Sequence, residues 1–456
     1  MWSGFRNAEE LTGHGIADLR RVALDIAGHG LAAADPYEAT KALISFDGHS
    51  LAVADRSYEI ASDRRIFVVG AGKASVSIAR ALEELLENRI SGGLVVGKHG
   101  ADAQLQHIPQ HFAAHPVPDE ASRLGALQTK ALLDRVEPRD LVIACFTGGS
   151  SSLFVDPAGG ISLQDKQETS HVLLTCGARI TEINAVRKHI SSVKGGRLAL
   201  RLPAKTPLIN LTVSDVIGDA LDCITDPTVP DTSTLEDARA TLHNYDLWSR
   251  VPASVADHIR SASVDQETPK PEDFVDRPTQ SVVVVPGDRA CAGAAQRAET
   301  LGYETTILST MLEGESAELG RTFAAIAAEV CHDGRPVCPP CVFIGGGETT
   351  VRIDGPAGEG GPNQEFALSA AIGIDGLSDV VVLGIDSDGT DGPTDLAGGL
   401  VDGSVAGEAR RMGLDLPGCL RAHDAGAALR RLSAAVVTGA TGTNVNDLKI
   451  LIVGRP

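Results

Sequence analysis

Lys73 follows a glycine-containing turn that could bind an anion. Residues 65–69 are largely apolar and predict a buried strand, Gly70 and Gly72 come next, and residues 74–86 have the pattern of a helix. Glycines let the backbone approach a ligand closely, and the first N–H groups of a helix carry partial positive charge. A lysine there adds a full charge that suits a phosphate or a carboxylate. An ordinary strand–helix connection fits as well, because the third glycine of a dinucleotide motif and the P-loop spacing are both missing.

A run of basic residues could bind the acid group of a ligand. Arg187, Lys188, Lys194 and Arg197 lie close together in a chain whose formal net charge is −20. An arginine can hold a carboxylate or a phosphate through two parallel hydrogen bonds. The stretch from residue 182 predicts a helix that continues to Gly195, so a solvated basic helix face remains the alternative.

Three carboxylates follow the strand predicted at residues 380–385. Asp386, Asp388 and Asp391 form a short acidic loop that lacks the spacing of an EF-hand. Mg²⁺ prefers a few oxygen ligands together with phosphate and water, so this loop could hold Mg²⁺ beside a phosphate. A solvated Asp/Gly turn would have the same composition. Asp215 and Asp219 form a similar pair after the strand predicted at residues 207–213.

The elements that position these residues alternate between strands and helices. Such alternation predicts parallel sheets with crossover helices, and in these sheets ligands lie outside the carboxyl ends of the strands. A further strand is predicted at residues 140–146, and a turn of glycine and serine follows it. Residues 8–60 are predicted to form helices that cover a sheet.

The length of 456 residues exceeds what one core supports. A proline-rich, charged segment separates two parts of the chain. We therefore predict an N-terminal domain over residues 1–264, a linker over residues 265–280 and a C-terminal domain over residues 281–456.

The composition excludes several classes of partner. The chain has 60 acidic residues against 40 Lys and Arg, and 4% aromatic residues, which argues against nucleic acid. No apolar stretch has the length of a membrane span, and the N-terminus lacks an export pattern. The scattered cysteines are typical of reduced thiols, so we expect a cytoplasmic protein without a membrane partner.

Eight motifs together resemble the glycerate 2-kinase family. Residues 70–74, 115–119, 182–199 and 214–219 are similar to its N-terminal part, DUF4147. Residues 346–351, 363–365, 389–392 and 443–447 are similar to its C-terminal MOFRL part. The resemblance implies two α/β domains with mostly parallel sheets, a Rossmann-like N-terminal domain and an interdomain cleft. In that cleft the γ-phosphate of ATP would move to the 2-hydroxyl of D-glycerate with the help of Mg²⁺.

Spacing and resemblance together suggest a role for each candidate residue. Lys73 corresponds to the family's essential lysine and would contact the transferred phosphoryl group, and Asp215 would accept the hydroxyl proton. The phosphates would be bound by the two turns, at Gly70, Gly72, Gly148, Gly149, Ser150 and Ser151. The acid group of the acceptor would be held by Arg187, Lys194 and Arg197. Mg²⁺ would be held by Asp386, Asp388, Asp391 and Glu348.

Two positions depart from the family pattern. Pro362 stands where the family has an arginine of the site, and Asp226 stands where it has a glycine. Both changes make the expected site less positive, which disfavours a plain carboxylate substrate. A kinase for a different hydroxy acid or polyol therefore remains an alternative, as does a non-catalytic protein that binds a nucleotide or metabolite. A homodimer is also left open.

Overall fold

The computed structural model describes residues 2–100, 104–216, 218, 221–224 and 226–455. Asp219, considered above beside Asp215, lies outside the described residues. The α-helices are α1 (Ala8–Thr12), α2 (Ala17–Ala33), α3 (Pro36–Leu43), α4 (Ser75–Leu86), α5 (Glu120–Leu133), α6 (Ser150–Leu153), α7 (Leu163–Leu174), α8 (Ile180–His189), α9 (Leu221–Ile224), α10 (Leu235–Asn244), α11 (Ala253–Ser261), α12 (Arg289–Thr300), α13 (Ser316–Asp333), α14 (Pro362–Gly373), α15 (Val405–Arg411), α16 (Leu416–Arg421) and α17 (Ala425–Arg431).

The strands alternate with these helices along much of the chain. They are β1 (Ile44–Phe46), β2 (Ser50–Val53), β3 (Arg56–Glu59), β4 (Ile66–Ala71), β5 (Ile90–Lys98), β6 (Gln110–Ala113), β7 (Leu141–Phe146), β8 (Leu208–Val213), β9 (Thr279–Val285), β10 (Glu304–Leu312), β11 (Cys341–Gly347), β12 (Val380–Asp386), β13 (Gly398–Asp402), β14 (Ala435–Val436) and β15 (Asp447–Val453).

The chain divides into two compact units. Unit A comprises Pro36–Ser214 and Asp219–Val284, and unit B comprises Met1–Asp35, Asp215–Gly218 and Val285–Pro456. This division differs from the predicted boundaries at several places, of which two concern longer segments. Residues 8–33 were assigned to the N-terminal domain, but α2 packs on α12 in unit B. Residues 265–280 were assigned to a linker, but they lie within unit A, where β9 begins at Thr279.

The main sheet of unit A has the strand order β6-β5-β4-β7-β8-β9. Numbered along the chain from β4, this is the order 3-2-1-4-5-6 of doubly wound nucleotide-binding sheets, which confirms the predicted α/β, Rossmann-like arrangement. Strands β4 and β7 pair in parallel, and both are buried along their whole length. Strands with helices on both faces of the sheet are expected to be apolar throughout.

Two further parts complete unit A. Helices α7, α8, α10 and α11 share a hydrophobic cluster of their own, built on residues such as Leu173, Ile183 and Leu242. Strands β1, β2 and β3 form a small antiparallel sheet. The prediction of helices over residues 8–60 is therefore wrong for residues 44–59. Leu51 and Val53 are buried while their neighbours in β2 are partly exposed, which is the two-residue period of a strand.

The sheet of unit B has the order β10-β11-β15-β12-β13-β14 and is mixed, so the prediction of a mostly parallel second sheet is wrong. The last strand, β15, lies antiparallel between β11 and β12. Alternate residues of these strands face two cores. Phe343 and Leu451 pack toward α13 and α14, whereas Ile344 and Ile450 pack toward α2 and α12. Of the helices that the structure describes, none is long and apolar enough to span a membrane.

Candidate functional site

The two glycine turns of unit A form one structure at the switch point of the sheet. Ala71 of β4 lies opposite Phe146 of β7, so the turns that follow these strands leave the sheet side by side. The N–H of Lys73 donates to the carbonyl oxygen of Gly148 at 2.9 Å, and the N–H of Ala74 donates to Thr147 Oγ1 at 3.2 Å. At such a switch point the diverging connections leave space for a ligand.

The contact between the turns requires glycine at two positions. Gly72 has φ +140°, and a Cβ atom there would lie 2.2 Å from Thr147 Oγ1. Gly149 has φ +86°, and a Cβ atom there would lie 3.2 Å from Lys73 Cγ and 3.4 Å from the ring of His115. The side chains of Lys73 and His115 therefore both lie against the second turn.

A cavity of about 270 Å³ opens beside this turn within unit A. Its walls come from the segment after β6, the turn after β7, one face of α7, the end of α8 and the loop after α8. Among the residues that the structure describes, no carboxylate lines this cavity, and the lining residues are His115, Pro116, Val117, Pro118, Gly149, Ser151, Ser152, Lys166, Gln167, Ser170, His171, Leu174, Arg187 and Lys194. A cavity lined by cations in a chain of net charge −20 favours an anionic ligand.

Two of the predicted acid-binding residues line this cavity. Arg187 lies in the last turn of α8, and its burial lowers the pKa of the guanidinium. Lys194 is 2% exposed and donates from Nζ to Asp226 Oδ2 at 2.6 Å and to Ser151 Oγ at 3.5 Å. Asp226 is not itself a lining residue, and through this ion pair it offsets part of the charge that Lys194 offers to the cavity.

The third predicted acid-binding residue, Arg197, does not line the cavity. Its guanidinium donates to the carbonyl oxygens of Gln266 and Glu267, at 2.6 and 3.3 Å. The prediction of a helix to Gly195 is also wrong, since α8 ends at His189. Gly195 has φ +61°, outside the helical region. The backbone thus turns between Arg187 and Arg197, which separates their side chains.

Lys166 is a site residue that sequence reasoning missed. It belongs to α7, is 3% exposed and lines the cavity, and its Nζ has no hydrogen-bond partner among the described residues. Burial, followed by the charges of Lys194 and Arg187, lowers the pKa of Lys166 to about 7. The spacing of residues 166, 169 and 173 in the sequence could have indicated this position. Lys166, Thr169 and Leu173 lie on the same face of α7 and are buried, so a lysine occupies a core position of that helix.

The acidic residues of unit B gather at one edge of its sheet. Asp447, the first residue of β15, lies opposite Gly347 of β11 and Asp386 of β12. Asp386 Oδ1 accepts a hydrogen bond from the N–H of Asp388 at 2.9 Å. Asp388 is 7% exposed. The exposed residue Glu348 follows β11 directly. The strand ends therefore place three of the four predicted metal ligands along the same edge of the sheet.

Asp391 does not fit the predicted role of a metal ligand. Its carboxylate lies at the start of α14, where it accepts hydrogen bonds from both the backbone and the side chain of Asn363 and of Gln364, at 2.9–3.1 Å. Burial raises the pKa of Asp391 to about 6. Both oxygens are thus occupied in holding the N-terminus of α14. Over the described ranges, no group of three or more His, Cys, Asp or Glu side chains is arranged to hold a metal.

Asp215, the predicted general base, belongs to unit B. Its Oδ2 accepts a hydrogen bond from Asn444 Nδ2 at 2.9 Å. Asn444 lies in the motif at residues 443–447, so this contact joins two of the motifs that the sequence singled out. The hydrogen bond fixes the orientation of the Asp215 carboxylate.

Comparison with known proteins agrees with this arrangement. The family model described as "Domain of unknown function (DUF4147)" matches residues 22–260, and the MOFRL family model matches residues 341–447. A glycerate 2-kinase from Pyrococcus horikoshii is 41% identical over 438 residues, which cover 96% of this chain and 98% of that protein. The chain belongs to the glycerate 2-kinase family. The membership predicted from the motifs is therefore confirmed.

Two further comparisons support this assignment. A D-glycerate 2-kinase from Thermotoga maritima is 41% identical over 392 residues, which cover 85% of this chain and 91% of that protein. The crystal structure of a glycerate kinase from Thermotoga maritima superimposes with a TM-score of 0.80 at 37% identity, covering 96% of this chain and 99% of the other. The likeness in fold thus extends over almost the whole length of both chains.

The structure gives a local reason for one departure from the glycerate 2-kinase pattern. Pro362 is the first residue of α14, and Gly361 precedes it in extended conformation. Proline suits the first helical position, because its N–H would have no partner there and its φ angle already matches the helix. The substitution therefore preserves the helix start, while it places no cation at that point.

Proposed function

We propose that this chain is an ATP-dependent kinase that transfers the γ-phosphate to a hydroxyl of a small hydroxy acid. D-glycerate would be the acceptor and 2-phosphoglycerate the product. The observation that carries this proposal is the cation-lined cavity beside the joined turns of β4 and β7, in a chain that is otherwise acidic. The names of the relatives from Pyrococcus horikoshii and Thermotoga maritima support it.

The turns would position the phosphates. Phosphoryl transfer depends on positioning and on neutralisation of charge more than on covalent chemistry. Lys73 begins the connection to α4, whose first residues have no side-chain cap, and the backbone N–H groups there suit phosphate oxygens. Lys73 would contact the transferred phosphoryl group, and residues 147–152 would bind neighbouring oxygens.

The cavity would bind the acid group of the acceptor. Arg187 offers a planar group that matches a carboxylate, and Lys194 offers a second cation that is already paired with Asp226. Asp215, held by Asn444, would accept the proton of the reacting hydroxyl as general base.

Asp386 and Asp388, with Glu348, would hold Mg²⁺. These are hard oxygen donors at one sheet edge, and Mg²⁺ needs only one or two carboxylates when phosphate oxygens and water complete its coordination. One or two of these three carboxylates, without Asp391, would therefore bind Mg²⁺ directly. Bound Mg²⁺ would offset the negative charge of the triphosphate.

The proposal can be tested by measuring ADP release. The purified chain is incubated with ATP, Mg²⁺ and each of D-glycerate, L-glycerate, lactate, glycerol and erythronate, and the product is identified by ³¹P NMR. We expect ADP release with D-glycerate and a resonance of 2-phosphoglycerate. Nucleotide binding without ADP release for every acceptor would instead indicate a non-catalytic protein.

A kinase for a different hydroxy acid or polyol is the second candidate, and Asp226 is the observation that favours it. Because Asp226 pairs with Lys194 at 2.6 Å, that lysine offers less charge to a carboxylate than an unpaired lysine would. Faster turnover of glycerol or erythronate than of D-glycerate in the same assay would select this candidate.

A further inference from the structure

Lys166 lines the cavity, and among the described residues of unit A no hydrogen bond or ion pair neutralises its charge. Its Nζ is buried and without a hydrogen-bond partner among the described residues. By contrast, Lys194 is paired with Asp226. A buried lysine is normally paired, because removing an ammonium group from water is costly unless a partner replaces the water.

The nearby carboxylates do not provide that partner. Asp226 is bound to Lys194 at 2.6 Å, and Asp156 is bound to Lys130 at 2.7 Å. Both carboxylates act on Lys166 only through space. The geometry therefore holds a cation, buried against the wall of a cavity, in a position where an anionic ligand would supply the missing partner.

We propose that Lys166, together with Arg187, binds the carboxylate of the acceptor. This assignment rests on the proposed function, since it names the ligand of the same cavity. A carboxylate has two oxygens, so it can accept hydrogen bonds from the guanidinium of Arg187 and from the ammonium of Lys166 at once. Lys166 is a site residue that the motifs of the sequence did not contain.

The charged groups around Lys166 make this binding sensitive to pH. Arg187 and Lys194 face it and lower its pKa, whereas the carboxylates of Asp226 and Asp156 raise it, and burial has the largest effect. His115 and His171 line the same cavity, and Lys73 lies against its wall. Because the pKa of Lys166 falls to about 7, its charge is lost as the pH rises through neutrality.

Two variants separate the charge of Lys166 from its volume. Lys166→Met keeps the length of the side chain and removes the charge, and it should raise the KM for D-glycerate about 10- to 100-fold, the usual worth of a hydrogen bond to a charged group. The KM for ATP should not change. Lys166→Arg keeps the charge at every accessible pH and should restore much of the affinity.

The pH dependence of the KM for D-glycerate distinguishes this role of Lys166 from a merely structural one. In the wild type the KM for D-glycerate should rise between about pH 6 and about pH 9, as Lys166 loses its proton. In Lys166→Arg that rise should be much smaller. A His171→Gln variant serves as the control for one cavity histidine. In this variant the KM for D-glycerate should rise with pH as it does in the wild type.

Binding measured without turnover keeps this inference separate from the proposed function. In isothermal titration, D-glycerate should bind more weakly to Lys166→Met than to the wild type. Glycerol, which lacks the carboxylate, should bind to both proteins with the same affinity. If the wild type phosphorylates no acceptor, the proposed function fails, and the titration still tests Lys166. A rise in the KM for ATP instead of D-glycerate, or unchanged binding of D-glycerate, would overturn the assignment.

Discussion

Replacing Lys166 with Met should stabilise unit A, although the lysine is almost wholly buried. Most substitutions in a core reduce stability, because they leave a cavity or an unpaired polar group. Here the wild-type residue is itself the unpaired group. Methionine has a similar length and no charge, so the substitution removes the unfavourable desolvation without leaving a large void.

The size of the effect follows from the pKa of Lys166. Burial, and then the charges of Lys194 and Arg187, lower this pKa from 10.5 to about 7. At about 1.4 kcal/mol per pH unit, the folded state is disfavoured by roughly 5 kcal/mol whenever Lys166 is protonated in both states. Relaxation and water penetration reduce such penalties in real proteins, so we expect a gain of roughly 2 to 5 kcal/mol in the free energy of unfolding.

The pH dependence of the gain has a definite sign. Below about pH 7 the lysine is protonated in both the folded and the unfolded states, so the whole penalty is present. Between about pH 7 and about pH 10.5 the unfolded state binds more protons than the folded state, so wild-type stability rises with pH. The advantage of Lys166→Met should therefore be largest near pH 6 and should shrink steadily toward pH 10.

Urea denaturation followed by tryptophan fluorescence can measure this gain in unit A alone. The chain has two tryptophans, of which Trp248 lies in unit A and Trp2 in unit B. In a Trp2→Phe background the fluorescence reports on unit A, and this matters because a chain of two units need not unfold in one step. The matched control is Lys205→Met, at an exposed lysine of the same unit.

The reasoning is refuted if Lys166→Met is less stable than the parent near pH 6, or if its advantage is the same at pH 6 and pH 9. The first result would mean that Lys166 has a structural partner. The second would mean that its pKa is not lowered by folding. Lys205→Met should change stability little at either pH, because its side chain is solvated in both states.

Four other substitutions test the site. Lys73→Ala should reduce kcat for ATP turnover at least about 100-fold, as expected for loss of a charge-neutralising group, whereas Lys205→Ala should retain near-normal turnover in the same coupled assay. Asp386→Asn should raise the Mg²⁺ concentration for half-maximal activity, which a Mg²⁺ titration of the activity measures. Asp391→Asn should leave that Mg²⁺ dependence nearly unchanged. It should instead lower the free energy of unfolding by about 1–3 kcal/mol, which urea denaturation measures. Asp226→Asn removes a carboxylate that raises the pKa of Lys166. The pH at which the KM for D-glycerate rises should therefore move down, and a constant midpoint would contradict the electrostatic account.

The sequence predicts those parts of the fold whose signals are local. The apolar runs at residues 65–69, 140–146, 207–213 and 380–385 match β4, β7, β8 and β12 to within two residues, because a short apolar run before a glycine or aspartate turn is typical of a buried strand. The joining of the turns after β4 and β7 was also predictable, since neighbouring parallel strands end at the same edge.

The parts that sequence reasoning missed depend on contacts between distant residues. The run at 447–453 is apolar, yet nothing local indicates that it inserts antiparallel between β11 and β12 and makes the second sheet mixed. Asp391 has the composition of a metal ligand, and only the position of α14 shows that its carboxylate holds a helix start. In both cases the deciding partner lies far away along the chain.

The structure gives Asp226 a specific partner that the sequence could not indicate. An aspartate in place of a glycine was expected to make the acceptor site less positive and so to disfavour a carboxylate. The structure pairs Asp226 with Lys194 at 2.6 Å, while its field raises the pKa of Lys166, which burial and Arg187 lower. Asp226 thus neutralises one lysine and helps a second to remain charged. At a pH where Lys166 is protonated, we therefore expect Lys166 and Arg187, more than Lys194, to attract the carboxylate of an acceptor.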